Sequence, residues 1–67
     1  MEKFFERLKE LRQEKGLSQT QLAKETGISK SAIGFWETGD RIPNAQAVVV
    51  LAKYFGVSAD YLLGLED

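Results

Sequence analysis

Residues 18–39 read Ser-Gln-Thr-Gln-Leu-Ala-Lys-Glu-Thr-Gly-Ile-Ser-Lys-Ser-Ala-Ile-Gly-Phe-Trp-Glu-Thr-Gly. Ser18 has the character of a helix N-cap, with Gln21 three positions on as its capping-box partner. Leu22 and Ala23 then turn inward on a short helix from Gln19 to about Thr26. Ser29 caps a second short helix, reaching about Thr38, whose apolar face is Ala32, Ile33 and Trp36. The connection is only Thr26-Gly27-Ile28-Ser29, and Gly27 supplies the positive φ that so tight a turn needs. Small Ala23 lets the two helices cross closely, while Leu22, Ile28, Ile33 and Trp36 lock the crossing. Two short helices joined by a glycine-containing turn form the helix-turn-helix pattern.

Working outward, every other segment also has helical period. Phe4, Phe5, Leu8 and Leu11 recur at helical spacing from about Glu2 to Lys15, and Gly16 sits where a left-handed helix terminus favours glycine. Asn44, after Pro43, caps a helix from about Ala45 to Phe55, with Val48, Leu51, Ala52 and Phe55 at i, i+3, i+4, i+7. Ser58 caps a short last helix, Ala59 to Leu63, closed by Gly64. The expected fold is all-α, five short helices in one domain spanning residues 1–67.

Two charges fall on apolar stripes. Arg12 shares the stripe of Leu8 and Leu11, and Glu37 lies beside Ile33 and Trp36. A charge on a buried stripe needs a partner, so an Arg12–Glu37 salt bridge tying the first helix to the third is expected.

Composition narrows the function. The chain has 67 residues, with no Cys and no His. A disulfide framework and thiolate metal sites are excluded, and the commonest general acid/base and metal ligand is missing. No cofactor and no metal is expected, and with no activated-nucleophile pattern the chain does not read as an enzyme. No apolar run approaches the ~20 residues needed to cross a bilayer, and the amino terminus is no signal peptide. A cytoplasmic location is expected. Nine Lys+Arg against ten Asp+Glu give a net charge of −1, without the basic excess typical of nucleic-acid binders. The acidity is uneven: residues 1–41 hold eight cations and seven acids, residues 42–67 one cation and three acids. On the first helix, Glu6/Lys9 and Arg7/Glu10 are expected to offset one another at i,i+3.

The chain resembles the lambda-repressor-like, Cro-like helix-turn-helix family, also called XRE-type regulators. The resemblance runs from about residue 4 to 64. It rests on Leu11-Arg12, Gly16-Leu17-Ser18-Gln19, Gln21-Leu22-Ala23, Gly27-Ile28-Ser29, Trp36-Glu37-Thr38-Gly39, Pro43, Leu51-Ala52, Phe55-Gly56-Val57-Ser58 and Asp60-Tyr61-Leu62-Leu63-Gly64. It implies a compact five-helix domain that binds double-stranded DNA, usually as a dimer, and regulates transcription. It also implies a salt bridge between the positions of Arg12 and Glu37.

On that resemblance the third helix would enter the major groove. Its outward face carries Ser31, Gly34, Phe35 and Thr38, with Lys30 on the flank. Lys30 matches the family's base-reading position, and a lysine there suits guanine O6/N7. Ser31 can donate to or accept from several bases, and Phe35 can touch a thymine methyl. Phe35 could instead tuck toward the core or meet a protein. Gly34 replaces the polar residue usual in the family; it either permits close approach of DNA or weakens the helix. Gln19, at a helix N-terminus, suits a phosphate. Lys24, Thr38 and Arg41 are further phosphate candidates, although Asp40 is unfavourable beside them.

A second stripe on the fourth helix, Ala47, Val50 and Tyr54, extended by Tyr61 or Leu65, is expected to form a two-fold homodimer interface, setting two recognition helices ~34 Å apart. The expected function is therefore a repressor acting as a homodimer on a palindromic operator. The competing reading is a protein-interaction module on the same fold, an antitoxin-like partner or a regulator without DNA contact. The net acidity, Gly34 and exposed Phe35 favour that alternative.

Overall fold

Hydrogen-bonded caps set the helix boundaries. Ser18 Oγ accepts from the Gln21 amide at 3.0 Å, and the Gln21 side chain accepts from the Ser18 amide at 2.7 Å, a complete capping box. Ser29, Asn44 and Ser58 cap in the same way, accepting from the amides of Ala32, Ala47 and Tyr61. Each cap satisfies one of the amides that a helix start leaves unpaired, and its loss typically costs ~1 kcal/mol.

The computed structural model describes all residues 1–67. It contains α1 (Glu2–Glu14), α2 (Gln19–Thr26), α3 (Lys30–Thr38), α4 (Ala45–Phe55) and α5 (Ala59–Leu63), and no strand. The fold is all-α with a helix-turn-helix made by α2 and α3, as the sequence pattern requires. Helix α1 ends one residue earlier than its periodicity suggests, because the backbone already turns at Lys15 and Gly16. No helix is long and apolar enough to cross a membrane.

Every helix contributes to one core. Phe4 and Leu8 of α1 meet Leu22 of α2, Ile33 and Trp36 of α3, Ala47, Val48, Leu51 and Ala52 of α4, and Leu62 of α5. Phe4 is fully buried and packs edge-on against Trp36, ring centroids 6.2 Å apart. Phe5, Leu11, Ala23, Ala32 and Phe55, all on inward stripes, are half-buried around this centre. Helix α1 packs on α3 and α5, α2 on α3 and α4, and α4 on α5. Helix α3 is therefore held from beneath while its opposite face remains free.

Gly39 shows how closely α3 approaches α1. It closes α3 with φ +83°, and a Cβ there would lie 3.2 Å from the Phe5 ring. An L-residue at this position would meet both backbone strain and a crowded neighbour.

Two expectations need correction. Ala47 does not lie on an exposed second stripe of α4. It is 8% exposed and belongs to the core, because α4 is covered by α2 on one side and α5 on another. The i,i+3 charge pairs of α1 do not form either. The protein's two ion pairs are Lys3–Asp67 and Arg12–Glu37. Arg7 turns instead to the C-terminal segment, where its guanidinium lies 4.1 Å from the Tyr61 ring centroid. From there it donates to the Tyr61 carbonyl and, at 2.7 Å, to the Glu66 carbonyl. Two carbonyl acceptors, one of them part-buried, and a flat ring offer a guanidinium more than a solvated glutamate one turn away.

Candidate nucleic-acid interface

The free face of α3 and the start of α2 form a shallow, open concavity. Gln19, Lys30, Ser31, Gly34, Phe35, Thr38 and Asp40 line it. Six of the residues expected to meet DNA are thus brought together on one surface. Arg41 joins them indirectly, its guanidinium carbon 4.5 Å from the Phe35 ring centroid. Lys24 is exposed on the last turn of α2 and stands outside the concavity.

The floor of this surface is anchored by a chain of hydrogen bonds. Arg12 Nε donates to Glu37 Oε2 at 2.7 Å, and a second guanidinium N–H donates to Oε1 at 2.8 Å. Arg12 also donates to the Leu17 carbonyl at 2.7 Å. The Arg12 and Glu37 side chains are 12% and 4% exposed, so α1 and α3 are joined by a largely desolvated, bidentate pair. The hydrogen bond to Glu37 holds the Arg12 guanidinium above its ordinary pKa, against the opposing pull of desolvation.

Gln19 extends this chain to the surface. Its Nε2 donates to Glu37 Oε1 at 3.2 Å, leaving Oε1 of Gln19 facing Gly34. The amide is therefore held at the rim of the concavity by a residue that is itself fixed. Gly34 has room for a side chain: a Cβ there would meet only Gln19 Oε1, at 3.7 Å. Packing within the protein does not demand glycine at that place.

The electrostatics of the face are set by which charges are left alone. Lys24, Lys30 and Arg41 are exposed and belong to neither ion pair. Asp40, unfavourable by sequence, is turned back on the protein: Thr38 Oγ1 donates to its Oδ2 at 2.8 Å. The Gly34 and Phe35 carbonyls also lie within reach of the one Thr38 hydroxyl proton, at 3.2 Å each, so a phosphate contact from Thr38 would require it to exchange partners.

The residues expected at a dimer contact differ widely in exposure. Ala47 is core, as described above. Val50 is half-buried in a groove between the α2–α3 turn and the start of α4, beside Ile28, Ala32 and Trp36. Tyr54 is turned toward α2, where its hydroxyl donates to Glu25 Oε1 at 3.1 Å, and Lys15 Nζ lies 5.0 Å from its ring centroid. Tyr61 lies beneath Arg7. Leu65 alone is largely exposed, at 74%. The apolar side chains that α4 and its approach do expose are Val49 and Ile42, which the helical stripe argument passes over. Val49 lies only one position from the assigned stripe, and Ile42 precedes the helix, so periodicity carries no signal for it.

This fold and surface are those of helix-turn-helix proteins, and a helix-turn-helix family model matches residues 8–62. The chain belongs to that family, in its XRE-type branch. It is 41% identical over 64 residues to the HTH-type transcriptional activator BcrR of Enterococcus faecalis, covering 96% of this chain and 31% of BcrR. It is also 41% identical over 64 residues to the uncharacterized HTH-type transcriptional regulator YobD of Bacillus subtilis, covering 96% of this chain and 57% of YobD. Repressor protein C2 of Salmonella phage P22 is 36% identical over 58 residues, 87% of this chain and 27% of C2. The chain thus spans about a third of BcrR and somewhat over half of YobD. No solved structure matches it.

Proposed function

We propose that the chain is a sequence-specific, double-stranded DNA-binding module of a transcriptional regulator. The observation that carries this reading is the convergence of Gln19, Lys30, Ser31, Gly34 and Phe35 on one open face of α3, with Lys30 free of any ion pair. The relatives named as transcriptional regulators support it. Helix α3 enters the major groove. Lys30 and Ser31 read base edges, Phe35 meets a thymine methyl, and Gly34 admits close approach. Gln19, at the first turn of α2, holds a phosphate together with free backbone amides. Lys24 and Arg41 add phosphate contacts, with Thr38 as a further candidate.

Few cations face the DNA, so one copy neutralises few phosphates and binds weakly. A homodimer on a palindromic operator supplies the missing affinity, and Ile42, Val49 and Leu65 are the exposed apolar side chains open to a second copy. Among the relatives one is named an activator and one a repressor; repression by operator occupancy is the mode assigned to this chain. Selection from random duplexes of about 20 base pairs at low salt tests the proposal. Enrichment of a palindrome with half-sites about one turn apart is expected. Asp40, a carboxylate on the same concavity, favours the alternative of a protein-binding face. No enrichment, with Lys30→Ala and Gln19→Ala without effect on duplex binding, would overturn the DNA reading in favour of that alternative.

A further inference from the structure

Phe35 is 38% exposed on the face that carries Lys30 and Ser31. An aromatic ring there has no group to offer a phosphate. It does have a neighbour that can: the Arg41 guanidinium carbon lies 4.5 Å from the ring centroid, within cation–π range. Arg41 comes from the loop after α3, so without the ring nothing in the protein's ion pairs would hold it to this helix. The adjacent carboxylate does not claim it: Asp40 belongs to neither ion pair and accepts from Thr38 at 2.8 Å. The result is a guanidinium seated over an aromatic ring, outside both ion pairs, at the edge of the concavity.

We infer that Phe35 is a positioning residue for Arg41: its ring holds the guanidinium pre-ordered, with N–H donors available to DNA phosphate oxygens. This rests on the proposed DNA reading and adds to it. Arginine loses much rotamer freedom on binding, and a side chain already held over a ring loses less. Phe35 thus contributes to affinity through Arg41, independently of any contact that it makes with a base methyl.

The test is a set of salt titrations with the full chain and a mixed-sequence duplex of about 20 base pairs, between roughly 50 and 200 mM salt. Wild type, Phe35→Leu, Phe35→Tyr, Arg41→Ala and the double variant Phe35→Leu/Arg41→Ala are compared, with melting curves to verify folding. Arg41→Ala is expected to lower the slope of log K against log salt by about 0.9. Phe35→Leu is expected to weaken binding about two- to fivefold, Phe35→Tyr to retain wild-type binding, and Phe35→Leu to lose most of its effect once Arg41 is alanine. The same pattern is expected on a duplex with deoxyuridine in place of thymidine. A Phe35→Leu loss that keeps most of its size in the Arg41→Ala background, or that vanishes on the deoxyuridine duplex, would overturn the inference while leaving DNA binding intact. Failure of wild type to bind any duplex would overturn the DNA reading itself, and this inference with it.

Discussion

Arg12 and Glu37 are 25 positions apart in the chain and joined by two charge-assisted hydrogen bonds of 2.7 and 2.8 Å. The pair clamps α3 to α1, and Gln19 is tied to the same carboxylate. Replacing Glu37 by Gln would leave the Arg12 guanidinium, only 12% exposed, facing a neutral amide. Removing one partner of a buried pair costs about 3 kcal/mol or more, against ~0–1 kcal/mol for a surface pair. For a domain this small that is a large part of the total stability. Thermal melting of Glu37→Gln should fall by at least about 10 °C; a fall of only a few degrees would place the pair among surface contacts.

Gly34 separates stability from binding. Glycine inside a helix is less favourable than alanine by roughly 0.5–1 kcal/mol. The added Cβ meets one atom at an ordinary 3.7 Å. Gly34→Ala is therefore expected to raise the melting temperature by about 2–6 °C. If the missing Cβ serves close approach of DNA, the same variant binds its selected duplex more weakly. Melting and binding measured on one preparation check both halves, and unchanged binding would mean that α3 tolerates glycine for no DNA-related reason.

Tyr54 gives a pH signature. Desolvation first, and then its hydrogen bond to Glu25, raise the phenol above its ordinary value of 10.0. A group whose pKa is higher in the folded state stabilises the fold below its unfolded value, and that contribution is lost as pH rises through the folded value. Stability should therefore decline above about pH 10 more steeply in wild type than in Tyr54→Phe. Denaturant melts across that range would show it; parallel curves for the two proteins would contradict it.

Helix positions were legible in the sequence because their signals are local. Ser18, Ser29, Asn44 and Ser58 mark the starts of four helices, and each lies within three residues of the amide that it caps. The Arg12–Glu37 pair was legible for another reason: each charge alone violated an apolar stripe. The exposed face of α3 followed from the same periodicity, since what does not face the core faces out.

What escaped depends on contacts between distant segments. The Tyr54–Glu25 bond joins residues 29 apart, and neither residue breaks a stripe. Arg7 had a plausible partner one turn away in Glu10, yet the C-terminal carbonyls brought against α1 by α5 offered a better one. Ala47 was misplaced because α4 is enclosed on more than one side, whereas a single-stripe argument assumes one buried face.

If the outward face of α3 reads DNA sequence, Lys30 is the side chain whose removal shows it. The measurement is the affinity of wild type and Lys30→Ala for the selected duplex and for the set of its single-base-pair variants at fixed salt. Lys30→Ala is expected to lose about 1–3 kcal/mol on the selected duplex and to relax discrimination at one base pair, with other positions unchanged. Equal affinity of the two proteins for every duplex in the set would contradict it.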